Sequence, residues 1–228
     1  MKHFPTPDAA VADIPDGATI MFGGFVSAGT PTNLIRALVR RGVRNITGIA
    51  NNIGLGDELD SLCEGRQIRT FIASFAIRAS GGRRSRFEEQ YRAGEVELEL
   101  VPQGTLAERI RAGGAGIPAF YTPTGAGTPA AEGKEVREFD GRRYLLETAL
   151  TADFALLKAH RADPYGNLTY RGAARNFNVP MATAARTVIV EVDEIVDLGA
   201  LNPEQIVTPG VYVDRIVHCD TIPVRWVT

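Results

Sequence analysis

The stretch DGATIMFGGFVSAGTPTNLIRAL, residues 16–38, joins a short apolar run to a helical pattern through a glycine-rich segment. Gly23, Gly24 and Gly29 permit positive φ angles and a close approach of other atoms to the backbone. Such glycines suit a turn that faces a ligand, and they also suit a tight strand-to-helix connection. The spacing alone slightly favours the tight connection.

Two helix starts are indicated by local signals. Pro31 suits the first turn of the helix that follows the glycines, with Thr30 as its N-cap, and Gly42 ends this helix. The predicted buried stripe of the helix consists of Leu34, Ile35, Leu38 and Val39. Thr105 and Glu108 have the spacing of a capping box, which predicts a further helix that begins there.

Short apolar runs alternate with helical runs through the first half of the chain. This alternation is typical of a parallel sheet covered by helices. The runs FALLKA at 154–159 and TVIVEV at 187–192 are predicted to complete the sheet, and a hairpin is predicted around Asp140-Gly141. We therefore predict an α/β fold with an open, mostly parallel sheet flanked by helices.

Composition favours one soluble globular domain over residues 1–228, since 44% of the residues are hydrophobic and 23% are charged. The net charge of −2 indicates neither a nucleic-acid partner nor a membrane surface. Cys63 and Cys219 lie far apart without a ligand pattern, so we expect no metal site and a cytoplasmic location. The N-terminal MKHFPTPDAAVADIPDG lacks the apolar core of a signal peptide, and no run is long enough to span a membrane.

Several common catalytic motifs do not occur in this sequence. There is no GxxxxGK[ST] phosphate loop and no GxSxG nucleophile elbow. Gly125, Gly127 and Ala130 have the spacing of a dinucleotide fingerprint, but the preceding FYTPT is a poor strand. The scattered histidines, expected to be surface or packed residues, are His3, His160 and His218.

Residues 113–133, GGAGIPAFYTPTGAGTPAAEG, are rich in glycine and proline. This composition argues against a helix or a central strand and predicts an ordered loop or lid. Phe120 and Tyr121 within it are expected to be exposed.

A family resemblance rests on four stretches of the chain. Residues 16–31 resemble the signature of the alpha subunits of class I CoA-transferases, the 3-oxoacid group: an acidic residue, a glycine, three apolar residues, Gly-Gly-Phe and Gly-x-Pro. Residues 101–128, 152–178 and 207–217 are similar to the same family. The resemblance covers nearly the whole chain and implies a CoA-transferase-like fold in a single domain.

The resemblance implies a reaction in which a glutamate carboxylate attacks an acyl-CoA thioester and becomes a glutamyl-CoA thioester. In the family this glutamate lies in a Ser-Glu-Asn-Gly context on the beta half, and this chain contains no Glu-Asn dipeptide. The nucleophile is therefore expected on a partner beta subunit, in an α2β2 assembly. Acyl-CoA and a 3-oxoacid, acetoacetate or 3-oxoadipate, are the implied substrates, with no permanently bound cofactor.

Asn51 in IANN and Gln103 in VPQG match family positions that line the reacting centre. Uncharged amide donors can hold an acyl oxygen without neutralising the glutamate, although both residues could instead cap turns at strand ends. Gly23, Gly24 and Phe25 are predicted to bind substrate, with the glycines leaving room for the acyl-CoA or for the partner's glutamate loop. Gly23→Val is then expected to abolish transfer and leave the fold intact.

Two further segments carry expectations drawn from the resemblance. The loop that faces CoA or the partner is predicted to involve Gly114, Gly116, Phe120, Tyr121, Gly125 and Gly127. The segment FAIRASGGRRS, residues 75–85, departs from the family pattern. The arginines of this region either form a solvated loop or receive the second carboxylate of a dicarboxylic substrate; they are Arg78, Arg83, Arg84 and Arg86.

Rival functions stay open on the sequence. The chain could be a scaffold subunit that contributes no side chain to the chemistry. An acyl-CoA hydrolase or a sugar-phosphate isomerase could also occupy the same general fold, and the missing phosphate loop weighs against the isomerase.

Overall fold

The computed structural model describes residues 2–54, 56–76 and 83–220. Its strands are β1 (His3–Phe4), β2 (Thr19–Phe22), β3 (Ile46–Asn52), β4 (Ile68–Phe75), β5 (Glu97–Leu100), β6 (Ala119–Thr122), β7 (Val136–Phe139), β8 (Arg142–Thr148), β9 (Ala152–Ala162), β10 (Leu168–Thr169), β11 (Ala185–Ile195) and β12 (Arg215–His218). Its α-helices are α1 (Pro7–Ala10), α2 (Thr32–Arg41), α3 (Arg86–Arg92), α4 (Gln103–Gly114) and α5 (Asn178–Ala184). Short 3-10 helices lie at Glu58–Cys63, Pro129–Ala131, Gly172–Arg175, Pro203–Gln205 and Gly210–Tyr212.

The main sheet has the strand order β1-β12-β11-β9-β2-β3-β4-β5. Neighbours along this order are parallel, whereas β10 adds to β9 in the antiparallel sense. From β2 the chain moves outward through β3, β4 and β5, and from β9 it moves the other way. The predicted open, mostly parallel sheet is confirmed, and its order reverses between β2 and β9.

Helices cover both faces of the sheet, because successive strand residues point to opposite sides. In β2, Ile20 and Phe22 join the core under α1, α2 and α3. Met21 between them joins the core under α4 and α5, together with Met181. Burying one such side chain contributes about 1.5–3 kcal/mol to folding, so both cores stabilise the same central strands.

A smaller antiparallel sheet, in the order β6-β8-β7, is formed from the glycine-rich region and the segment after it. The predicted hairpin is confirmed, with Asp140 at φ 49° and Gly141 at φ 73° joining β7 to β8. The prediction of a loop or lid over residues 113–133 is wrong in part: α4 continues to Gly114, and β6 forms an edge strand. An edge tolerates the surrounding prolines because it leaves backbone donors unpaired.

The start of α2 differs from the prediction, since Pro31 is the N-cap and no side chain of the local segment caps the helix. The Thr30 hydroxyl donates instead to the carbonyl of Val26, at 2.9 Å. The free N–H groups of the first turn are satisfied by Glu191 of β11, whose carboxylate accepts from the amide of Leu34 at 3.0 Å. A buried carboxylate from a distant strand thus does the capping.

The end of α2 agrees with the prediction. Gly42 follows the last turn in the left-handed conformation, with φ 73°. Leu34, Ile35 and Leu38 are fully buried, and Val39 packs against the core from a partly exposed position.

The start of α4 also differs from the prediction. The helix begins at Gln103, directly after Pro102, and Thr105 is a buried residue inside its first turn rather than a cap. This shift places Gln103 at the first helical position, immediately beyond the end of β5. Among the described residues, no helix has the length and apolarity that a membrane span requires.

Candidate functional site

The connection that follows β2 contains a tight turn, the Phe25–Ala28 turn. The backbones of Phe25 and Ala28 exchange two hydrogen bonds of 3.0 Å. Val26 has φ 54°, a conformation that is costly for a β-branched residue. The side chains of Phe25 and Val26 are 43% and 45% exposed, so the turn projects from the carboxyl end of the sheet.

The two amides predicted from the sequence meet at this end of the sheet. Gln103 donates from Nε2 to Oδ1 of Asn51, at 2.7 Å. Asn51 is buried at the end of β3 and donates from Nδ2 to Oδ1 of Asn52, at 2.8 Å. The structure therefore brings together residues that are far apart in the sequence.

Asn52 extends this contact to a carboxylate that sequence reasoning missed. Its Oδ1 also accepts from the backbone N–H of Val26 at 2.8 Å, and its Nδ2 donates to Oδ2 of Asp57. We call the series Gln103, Asn51, Asn52 and Asp57 the amide chain. It runs around the end of β3, and the second asparagine of IANN was the available signal for it.

The Asp57 carboxyl lies half-buried between β3 and the 3-10 helix that follows it. Burial raises its pKa from 3.8 to about 7, against the lowering effect of the N–H of Leu59 and the Asn52 amide. The nearby carboxylates of Glu58 and Asp60 raise the pKa further. Asp57 is therefore a group whose charge changes near neutral pH.

The amide chain offers uncharged donors at a place where ligands collect in open α/β folds, outside the carboxyl ends of the strands. An amide NH₂ group has two hydrogens, and in the described contacts Gln103 and Asn51 each use one of them within the chain. The remaining N–H groups can stabilise an oxygen on which negative charge develops. Phe75 and Leu100, which are 53% and 56% exposed at the ends of β4 and β5, give this edge an apolar rim.

The glycines after β2 make room for the chain itself. A Cβ on Gly23 would lie 1.9 Å from Oδ1 of Asn178, and one on Gly24 would lie 2.8 Å from the hydroxyl of Thr30. The expectation that these glycines leave space for a ligand is therefore wrong, and the tight connection is what the structure shows. A role of Gly23, Gly24 and Phe25 in substrate binding stays a prediction, through the backbone and the exposed ring.

Asn178 fills the crevice at the reversal of strand order and is fully buried. Its Oδ1 accepts from the N–H of Lys158 at 3.0 Å, and its Nδ2 donates to the carbonyls of Gly29 and Ala174, both at 2.9 Å. One amide thus joins β9 to the segment after β2.

The predicted loop residues lie away from the amide chain within this protein. Gly114 is the last residue of α4, about 16 Å along the helix from Gln103, and a Cβ on it would meet the Thr183 hydroxyl at 2.0 Å. Tyr121 donates its hydroxyl to Glu135 inside the small sheet and, like Phe120, is half-buried rather than exposed. A contact with CoA or a partner stays a prediction for the whole set: Gly114, Gly116, Phe120, Tyr121, Gly125 and Gly127.

The arginines of the divergent segment have structural partners where they are described. Arg86 pairs with Glu64 at 2.8 Å, and Arg84 lies 3.8 Å from Glu88. Arg83 is exposed, and Arg78 lies outside the described residues. These pairs favour the solvated structural loop over a receptor for a second carboxylate.

Val26→Gly is expected to stabilise the protein by about 1 kcal/mol, because glycine adopts a positive φ without the strain that a β-branched residue carries. Chemical unfolding of the two proteins measures the difference. Ser27→Gly in the same turn is the matched control, since Ser27 does not have a positive φ and should gain no stability. A Val26→Gly protein that is no more stable than the wild type would contradict the prediction.

Comparison with known proteins agrees with this geometry. A family model described as Coenzyme A transferase matches residues 4–219. The chain is 53% identical over 217 residues to the alpha subunit of 3-oxoadipate CoA-transferase of Pseudomonas putida, which covers 95% of this chain and 93% of the relative. It is 49% identical over 235 residues to human Succinyl-CoA:3-ketoacid coenzyme A transferase 2, mitochondrial, which covers 95% of this chain but 44% of the relative.

A solved structure shows the same fold. Glutaconate coenzyme A-transferase from Acidaminococcus fermentans superimposes with a TM-score of 0.83 at 22% identity, over 96% of this chain and 76% of that one. The family resemblance inferred from the sequence is thereby confirmed. Because the family model spans nearly all of the chain and relatives share about half of its residues, the chain belongs to the Coenzyme A transferase family.

Proposed function

We propose that the chain is the alpha subunit of a 3-oxoacid CoA-transferase, which moves CoA from an acyl-CoA donor such as succinyl-CoA to acetoacetate or 3-oxoadipate. The observation that carries the proposal is the contact between Gln103 and Asn51, two uncharged amides at the carboxyl edge of the sheet. The names of the relatives, a 3-oxoadipate CoA-transferase and a succinyl-CoA:3-ketoacid transferase, support the substrate class.

The reaction needs donors of this kind. A glutamate carboxylate attacks the thioester carbon, a C–O bond forms, and negative charge develops on the carbonyl oxygen. When the carbonyl forms again the C–S bond breaks, and CoA leaves as a thiolate from the acyl-glutamyl anhydride. The thiolate then attacks the glutamyl carbonyl and releases the donor's carboxylate, which leaves a glutamyl-CoA thioester for the 3-oxoacid to attack by the reverse steps.

In this proposal the amides of Asn51 and Gln103 bind the developing oxyanion. Each well-placed donor is worth about 3 kcal/mol in the transition state. Neutral donors suit the site, since a lysine or arginine there would pair with the attacking glutamate and make it less nucleophilic. The apolar rim of Phe25, Phe75 and Leu100 would exclude water from the thioester.

We place the nucleophile on a partner beta subunit, in an α2β2 assembly. The absence of a Glu-Asn dipeptide from this sequence supports this arrangement. So does the human relative, of which this chain matches 44% of the length, because a longer chain can hold both halves. Two buried cysteines without a disulfide support a reducing compartment, the cytoplasm.

The proposal is tested by assaying CoA transfer from succinyl-CoA to acetoacetate and, separately, to 3-oxoadipate. The purified chain is assayed alone and after addition of its beta subunit. We expect transfer only in the mixture, and the better acceptor identifies the physiological substrate. Transfer by this chain alone would contradict the placement of the nucleophile, and release of free CoA without an acceptor would support the hydrolase alternative.

A further inference from the structure

The amide chain ends in a carboxylate that does not reach the proposed oxyanion site itself. Asp57 contacts Asn52, and Asn52 in turn contacts Asn51 and the backbone of Val26. We propose that Asp57 is a positioning residue for CoA transfer: it fixes the direction of every hydrogen bond in the amide chain, and so the donor that Gln103 presents. This role rests on the proposed function of the chain.

The direction of the chain follows from the chemistry of its end group. An ionised carboxylate only accepts hydrogen bonds, so Asn52 must turn its NH₂ group toward Asp57. The carbonyl oxygen of Asn52 then faces the NH₂ group of Asn51, whose own oxygen faces the NH₂ group of Gln103. Each amide fixes the orientation of the next, and the series ends with an N–H group of Gln103 at the strand end.

The Phe25–Ala28 turn depends on the same orientation. The oxygen of Asn52 accepts from the N–H of Val26, which holds a β-branched residue at φ 54°. A backbone strained in this way needs support from its surroundings. If Asn52 rotated its amide by half a turn, this support would be lost and the strained turn would relax.

The charge of Asp57 therefore selects between two arrangements of the site. The ionised carboxyl holds Asn52 in the orientation described, whereas a protonated carboxyl no longer requires a donor from Asn52. Burial places this change near neutral pH, with the pKa of Asp57 at about 7. The charged groups around it are Glu58, which pairs with Arg36, and Asp60, which faces Arg86.

Asp57→Asn in the assembled enzyme tests the proposal. We expect kcat to fall by about 10- to 100-fold with a much smaller change in KM, since a misdirected donor weakens the transition state more than substrate binding. The matched control is Glu58→Gln, which removes a carboxylate one residue away that pairs with Arg36 and does not contact the amide chain. Asp57→Glu, which keeps a carboxylate as the end group, is expected to recover part of the loss.

The pH profile separates positioning from simple structural support. Wild type and Glu58→Gln are expected to lose kcat below an apparent pKa of about 7, and Asp57→Asn is expected to lack this acidic limb. If Asp57→Asn keeps the wild-type turnover and the acidic limb, the proposal is overturned.

A second measurement does not depend on catalysis. In a pH titration of the chain followed by NMR, the side-chain NH₂ signals of Asn51, Asn52 and Gln103 should shift together with a midpoint near the pKa of Asp57, about 7. If the signals do not move, or move independently of one another, the positioning role is overturned. If the wild type shows no transfer to any 3-oxoacid, the proposed function fails, and the titration still decides whether Asp57 controls the amides.

Discussion

Gln103→Ala is expected to lower the turnover of the assembled transferase by about 100-fold or more, because it removes a donor to the developing oxyanion. Asn51→Ala should have a loss of similar size, since it removes a second donor and releases the side chain of Gln103. Both effects should fall on kcat and on kcat/KM together, as they do when an interaction is made mainly in the transition state.

Steady-state kinetics with succinyl-CoA and the preferred 3-oxoacid measure these losses, and assembly is checked by the size of the complex. Gln103→Glu keeps the shape of the side chain without its NH₂ donors, so it should be as impaired as Gln103→Ala. Glu108→Gln is the control on the same helix, where Glu108 is partly exposed and pairs with Arg111. Near-normal turnover in an assembled Gln103→Ala complex would favour the scaffold alternative over a catalytic contribution.

Gly23→Ala is expected to destabilise the protein by about 3 kcal/mol or more, even though it adds a single methyl group. The new Cβ would lie 1.9 Å from Oδ1 of Asn178, which is fully buried and bound to the backbone of Lys158. Gly23→Val adds still more atoms at the same place, so the expectation from the sequence that it leaves the fold intact is contradicted.

A double-mutant cycle tests this explanation. Asn178→Ala removes the side chain that the new methyl group would meet, so the combined variant should lose much less stability than the sum of the two single variants. Gly54→Ala is the matched control, because no atom of the described residues lies within 4 Å of its added Cβ. Additive losses in the cycle would show that the space around Gly23 is not what limits the substitution.

The sheet could be predicted from the sequence because its strands carry a local signal. FALLKA and TVIVEV are apolar on both faces, and the strands that contain them, β9 and β11, are paired and covered by helices on both sides. The starts of α2 and α4 could not be predicted as well. The first turn of α2 is capped by Glu191, which lies 157 residues from Leu34, and no local pattern indicates such a partner.

The site was predictable in part. Asn51 and Gln103 were found through the family resemblance, whereas their contact depends on the packing of α4 against the end of β3. Asp57 was missed because its importance comes from burial and from Asn52, neither of which a short spacing reveals. Val26 was missed because a β-branched residue is not expected at a positive φ.

The pairing of β1 with β12 sets the order in which the molecule can be completed. His3 pairs with Ile216, and Phe4 with Val217, so an edge of the main sheet joins residues from opposite parts of the chain. At about 5–20 residues per second, the ribosome needs roughly 10–40 s to make the segment between them. During synthesis, the first strand must therefore wait for its neighbour, and closure of this edge is a post-translational step with the high contact order that slows folding.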